Sequence, residues 1–384
     1  METSDQQPAP RIARWDLYPK CNLNCIHCCA KDLYNYIDSD FLKLDKAILL
    51  LDKLKDIGIT QLNILGKESF LHPHIFEILA HACKLGMIVD ITTNGTCIQK
   101  EDIPLLVDLG LRSIFFSFDG STPEIHDRIR GQGVFEKASK TMEDVVKEKE
   151  RKRSTLMVNV NTVLNKINSG DILNLVDFCS ERGGSQFKLS HLLTTGRAIT
   201  NLDDLLLDPT DEFEITEEVV KTIPKYPNLA FDVLSDHPVI LEYFYRKYKM
   251  PFSVEVSGCK GCRKEIYVDP VGGISPCLGT SLGFSHFSHG KSYRIDLFDL
   301  NDQPIVETPI YAEFQSTFPL VKETYKDYDP CYSCVYLTTF CYPCPIGSLN
   351  HTRQVEDWCV ITLKKIDELN GGEKEYGNRD PFIS

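Results

Sequence analysis

From Arg11 onward the apolar residues follow two alternating periods. Short strand-like runs at residues 12–18, 61–65, 87–92, 113–118, 156–164 and 187–193 are separated by segments with apolar positions at helical spacing. The first helical stripe is Leu44, Ile48 and Leu51, with Ser39 as candidate N-cap and Gly58 as stop signal. Further helices are predicted near 75–85, 103–109, 137–149, 172–181 and 212–222. Strands alternating with helices imply a parallel sheet with right-handed crossovers. Six such units are too few for a closed (β/α)₈ barrel, so the predicted fold class is α/β, an open partial (β/α)₆ TIM-like barrel. Barrels carry their chemistry at the carboxyl ends of the strands. Cys21, Gly66, Asn94, Asp119 and Gly196 fall at those ends.

Past about residue 226 the helical periodicity fades, and cysteines, prolines, glycines and aromatics rise. Such a segment lacks a conventional core and needs metal staples. The expected organisation is therefore an N-terminal tail at 1–11, the barrel at 12–235 and a cysteine-rich domain at 236–384. A composition of 42% hydrophobic and 25% charged residues over 384 positions excludes a disordered chain. No run approaches the ~18 apolar residues of a membrane span, and the polar start lacks the layout of a secretory signal. A net charge of −13 argues against a nucleic-acid partner. The expectation is a cytoplasmic protein that engages neither nucleic acid nor membrane.

Fifteen cysteines are many for a reducing compartment, and their placement is uneven. Cys83, Cys97 and Cys179 lie alone in apolar settings, where a small buried thiol is the plain reading. Cys21, Cys25 and Cys28 form a C-x3-C-x2-C run directly after the first strand, with Cys29 beside them as a bystander. Three thiolates this close can hold three irons of a cubane and leave the fourth iron open. A zinc site is the alternative on spacing alone. The rear group is Cys259, Cys262, Cys277, Cys331, Cys334, Cys341, Cys344 and Cys359, eight thiols or two complete sets of four, for which zinc also remains open. His72-Pro73-His74 reads as a solvated histidine pair.

The front motif in this position resembles the radical S-adenosylmethionine (radical SAM) enzymes. Gly66-Lys67-Glu68, Thr93-Asn94-Gly95-Thr96, Ser117-Phe118-Asp119-Gly120, the 125–131 segment with Arg130, and Thr195-Gly196-Arg197-Ala198 extend the resemblance over about 200 residues. It implies a [4Fe–4S] cluster on Cys21, Cys25 and Cys28 with SAM on its open iron. It also implies cofactor contacts from His27, Gly66, Glu68, Asn94, Ser117, Arg130 and His191. Lys67 stands where the family usually has a second glycine, and His27 where it usually has an aromatic. The tail resembles the SPASM extension, a β-hairpin with short helices and two auxiliary [4Fe–4S] clusters, three clusters in all. In that resemblance Cys259, Cys262, Cys277 and Cys344 hold one auxiliary cluster, and Cys331, Cys334, Cys341 and Cys359 the other.

The implied function is a radical SAM oxidoreductase or maturase that cross-links a ribosomally made peptide, served by a flavodoxin- or ferredoxin-type reductant. A dehydrogenase or rearrangement enzyme on a small molecule is the alternative, and a non-catalytic iron–sulfur scaffold or electron carrier a second. Anaerobic sulfatase-maturing enzymes share the tail pattern, but their catalytic aspartate after the cysteine matching Cys277 is Leu278 here.

Overall fold

The computed structural model describes residues 10–30, 40–233, 238–249, 264–277, 294–299, 308–309 and 354–371. The predicted series is present: β1 (Ile12–Asp16), α1 (Leu44–Asp56), β2 (Gln61–Leu65), α2 (Ile75–Lys84), β3 (Ile88–Thr93), α3 (Ile103–Asp108) and β4 (Ser113–Ser117). Two consecutive helices follow, α4 (Pro123–Arg130) and α5 (Val134–Lys152). Then come β5 (Met157–Val163), α6 (Ile172–Glu181), β6 (Gln186–Ser190), the single turn α7 (Leu202–Leu205) and α8 (Pro209–Thr222). Proline at the first position sets the start of α4 and of α8, where its missing N–H costs no helix bond. Helix α1 starts at Leu44 with no side-chain cap, and Ser39 lies outside the described residues.

The chain does not stop at six units. It continues with β7 (Ala230–Val233), α9 (Pro238–Tyr248), β8 (Glu265–Val268), β9 (Gly273–Ser275), β10 (Ile295–Asp296) and α10 (Gln354–Leu369). All strands join one sheet in the order β10-β9-β8-β1-β2-β3-β4-β5-β6-β7. Strands β1 to β8 pair in parallel, with β8 on the outer flank of β1. The predicted hairpin is β8–β9, and it enters the barrel sheet directly through the register Ile12↔Glu265 to Trp15↔Val268. Because β10 and β7 stand at opposite ends of the order, the barrel is open, as the unit count predicted.

One continuous core holds this together. Trp15, Phe116 and Phe187 are buried on the strands, and Leu50, Leu51 and Leu54 of α1 and Ile78 and Leu79 of α2 belong to the same core. Helix α9 sends Val239, Ile240, Tyr243 and Phe244 into the same core, and α10 packs on α8 and α9. The loss of helical periodicity read after residue 226 is therefore corrected for residues 238–248. Tyr243 and Phe244 form a core face, while Tyr245 stays exposed. Among the described residues no helix is long and apolar enough to cross a membrane.

Candidate active site

Every strand-end residue singled out from the sequence lies on one rim, because parallel strands put all their carboxyl ends on the same side. Residues 17–30 leave β1 as a loop with almost no regular hydrogen bonding of its own, and Cys28 N to Cys25 O at 3.3 Å is its one internal turn bond among backbone groups. Its backbone is tied elsewhere: Ile26 N donates to Ile129 O at 3.0 Å, and Lys20 O accepts from Glu68 N at 3.1 Å. Cys21 is exposed, Cys28 half-buried and Cys25 buried. Burial pushes the Cys25 thiol up to about 11 and Cys29 to about 12. Without a metal both thiols keep their protons, and metal binding by Cys25 must release its own.

Glu68 and Asn94 join the rim together. Glu68 is fully buried, and its carboxylate accepts from Phe70 N at 3.1 Å, Thr93 Oγ1 at 2.9 Å and Asn94 N at 2.8 Å. It thereby ties the end of β2 to the end of β3. Asn94 Nδ2 donates to Asn22 Oδ1 at 2.9 Å and reaches Cys21 Sγ at 3.7 Å, so β3 touches the cysteine loop directly. Gly66 has φ +104°, and a Cβ there would stand 2.6 Å from Asp16 Cγ. Close approach of two strand ends requires glycine.

A buried polar knot lies under the loop. Asp119, fully buried at the end of β4, accepts from Arg130 Nε at 2.5 Å, Val163 N at 2.9 Å and Thr162 Oγ1 at 3.3 Å. His27 Nε2 stands 3.4 Å from the same carboxylate. Burial alone would raise Asp119, but Arg130, His27 and the Val163 amide outweigh it and hold the carboxyl at about 2. His27 and His126 are pushed down to about 4, chiefly by burial, so both rings are neutral at ordinary pH. His126 Nδ1 accepts from Asp119 N at 3.2 Å. The buried Nδ1 of His27 has no hydrogen-bond partner. Left bare, such a nitrogen costs free energy, which a bound ligand or an ordered water would relieve.

The remaining expectations distribute as follows. Ser117 is buried at the end of β4, and His191 Nδ1 is held by Glu212 Oε1 of α8 at 2.6 Å. His72, expected to be solvated, is buried, with Nε2 3.0 Å from Leu42 O and Nδ1 accepting from His74 N. Ring packing against Tyr18 and Phe41 explains the burial, and spacing alone carries no trace of it. Cys179 is buried as expected, whereas Cys83 and Cys97 are half-buried. Cys277 follows β9 and Cys359 lies on α10, while Cys259, Cys262, Cys331, Cys334, Cys341 and Cys344 are outside the described residues. Asp269 caps the hairpin turn, accepting from Val271 N, Gly273 N and Arg294 Nε at 3.0, 2.8 and 2.6 Å. Among the described residues no three His, Cys, Asp or Glu side chains gather as ligands of a single metal ion. The sequence reading missed Asn201 as a rim residue, since it belongs to no recognisable motif.

Residues 15–179 match the Radical SAM superfamily. This segment is a radical SAM domain. Radical SAM domains bind a [4Fe–4S] cluster and SAM, and the rim residues fit that pair. Three thiols on one loop supply soft donors for iron. The unpartnered His27 nitrogen leaves a polar group free beside them.

An AdoMet-dependent heme synthase from Methanosarcina barkeri is 30% identical over 190 residues, 49% of this chain and 52% of that protein. The chain thus spans about half the length of that relative. The antilisterial bacteriocin subtilosin biosynthesis protein AlbA from Bacillus subtilis is 25% identical over 362 residues, 92% of this chain and 72% of AlbA. Among solved structures, Streptococcus suis SuiB bound to S-adenosylmethionine superposes with a TM-score of 0.69 at 19% identity, covering 90% of this chain and 76% of SuiB. That likeness is one of fold.

Proposed function

We propose that Cys21, Cys25 and Cys28 hold a [4Fe–4S] cluster whose open iron takes SAM, and that the chain oxidatively cross-links a ribosomally made peptide. The observation that carries the peptide reading is the extent of the AlbA match. It runs through the rear cysteine segment, 92% of the chain, whereas the heme synthase match covers 49%. SuiB, of the same fold, has been solved bound to the precursor peptide SuiA. Bound together, cluster and SAM supply a 5′-deoxyadenosyl radical that can take hydrogen from an unactivated carbon.

The chain's own residues then have defined tasks. Asn94 holds the loop at Cys21 and Asn22, and Glu68 fixes Asn94 from below. Asp119 aims Arg130, which together with Ser117 is the proposed partner of SAM's polar groups, and His27 Nδ1 is a donor or acceptor for the same ligand. Forming a cross-link removes two hydrogens from the peptide: one as the abstracted atom, the other as a proton with an electron left over. Taking up that electron is the role proposed for two auxiliary clusters on Cys259, Cys262, Cys277 and Cys344 and on Cys331, Cys334, Cys341 and Cys359. A flavodoxin- or ferredoxin-type protein is the proposed reductant.

The heme synthase match supports a second reading, an enzyme acting on a small cofactor precursor. Anaerobic reconstitution tests both. The expected result is about twelve irons per chain, by four per cubane, and deoxyadenosine release that vanishes when Cys21, Cys25 and Cys28 are all replaced by Ala. Iron near four with zinc making up the rest refutes the auxiliary clusters. A candidate precursor peptide should lose two hydrogens by mass. An unchanged peptide beside a consumed tetrapyrrole selects the second reading.

A further inference from the structure

The segment that leaves β6 bonds to the cysteine loop more often than any other part of the rim. Arg197 N donates to Cys28 O at 2.8 Å, and Arg197 Nη1 donates to Cys25 O at 2.8 Å. Arg197 Nη2 reaches Asn24 Oδ1 at 3.3 Å. Asn201 Nδ2 donates to Ile26 O at 3.2 Å and to Arg197 O at 2.9 Å, which locks the two donors to each other. Thr195 Oγ1 adds a long bond to Cys29 O at 3.5 Å. The carbonyls of Cys25, Ile26, Cys28 and Cys29 are thus satisfied from one six-residue stretch, the short 3₁₀ helix Gly196–Asn201, and its cap Thr195.

Two packing features complete the grip. Ile26 of the loop packs against a small apolar cluster of Leu192, Ala198 and Leu205 with Val163 and Ile167. Gly196 has φ +59°, and a Cβ there would stand 2.5 Å from Cys29 O and 2.7 Å from Cys28 O. The loop backbone therefore lies directly on the glycine.

We propose that Gly196–Asn201 is a clamp that sets the positions of the Cys25 and Cys28 thiols, with Arg197 as its positioning residue. This rests on the reading that the loop carries a cluster. A loop without regular hydrogen bonding would sample many backbone states, and each would move the thiols. Arg197 removes that freedom by engaging two loop groups at once with its planar fork, a geometry lysine cannot reproduce.

The test compares wild type with Arg197→Gln, Arg197→Lys and Asn201→Ala. Hydrogen exchange on the metal-free chain reads the loop without any cluster. Arg197→Gln should speed exchange of the amides at 24–29 roughly tenfold, the factor given by ~1.4 kcal/mol of lost local stability, while β3 and β4 amides stay unchanged. Arg197→Lys should fall between, and Asn201→Ala should show a smaller effect centred on Ile26 and His27. After reconstitution, Arg197→Gln should load iron but give a heterogeneous electron paramagnetic resonance spectrum with SAM. Its kcat for SAM cleavage should fall roughly ten- to a hundredfold with KM changed less. Unaltered loop exchange together with a wild-type spectrum overturns the clamp. If Arg197→Gln does not fold, Asn201→Ala decides by the same exchange criterion. A wild-type chain that loads no cluster refutes the cluster reading instead, and the exchange comparison still judges the clamp.

Discussion

Replacing Asp119 by Asn keeps the shape of a fully buried side chain and removes its charge. Arg130, itself 8% exposed, would then hold its guanidinium without a counter-charge. Two routes give the size of the effect. The carboxyl is depressed from 3.8 to about 2 in the folded chain. At 1.36 kcal/mol per unit that is about 2.5 kcal/mol. Its sign follows from the depression: this stability is present above pH 3.8 and is lost as pH falls through about 2. The second route is the removal of one partner from a buried ion pair, which costs ~3–5 kcal/mol. Asp119→Asn should therefore destabilise the metal-free protein by roughly 2.5–5 kcal/mol, or about 5–15 °C in Tm for a body of this size. Urea titration followed by circular dichroism measures it. Arg130→Met tests the cause, because the double variant should recover ~2 kcal/mol relative to the sum of the singles. Asp119→Asn within 1 kcal/mol of wild type, or strict additivity in the double variant, would refute the ion pair as the pin of this rim.

Three further outcomes are expected. Gly66→Ala forces a side chain onto φ +104° and against Asp16, so it should cost about 1–3 kcal/mol, and adding Asp16→Ala should restore only the steric part; calorimetry finding the single variant as stable as wild type would contradict the close approach. Buried His126, lowered to about 4, adds stability that is complete above pH 6.5 and disappears as pH falls toward 4, up to about 3 kcal/mol. His126→Gln should flatten the acid limb of the stability curve by about one proton, and an unchanged limb would count against the assignment. A Cys-x-Pro-x-Arg sulfatase peptide should not be converted to formylglycine: Leu278 cannot accept a proton, and Asp269 is committed to its turn amides and Arg294. Aldehyde formation at the rate of deoxyadenosine release would disprove this.

Much of the fold was legible in the chain because its cause is local. Alternating strand and helix periods give β1 to β6 and helices α1, α2, α3, α5, α6 and α8 with ends shifted by a few residues, and the helix predicted at 172–181 is α6 as observed, whereas α4 and α7 went unread. The same reading missed β7 and α9, and it placed β8 in a hairpin without its pairing to β1. Strands of four residues are too short to show a period, and α9 is dense in aromatics on several sides. The placement of β8 beside β1 is a long-range pairing across some 250 residues, which no local pattern encodes.

The site divides along the same line. Cysteine spacing after the first strand, and glycine, asparagine and aspartate at successive strand ends, marked the rim from sequence alone, because parallel topology obliges those ends to meet. The partners of each side chain were decided only by the folded chain. Asp119 takes Arg130 and draws His27 beneath the loop, Glu68 turns inward to β3, and Arg197 reaches back 172 residues to Cys25. Sequence fixes which groups are available, since residue type and local period are properties of neighbours along the chain. Hydrogen-bond partners and burial depend on distances that exist only once strands far apart in sequence lie side by side.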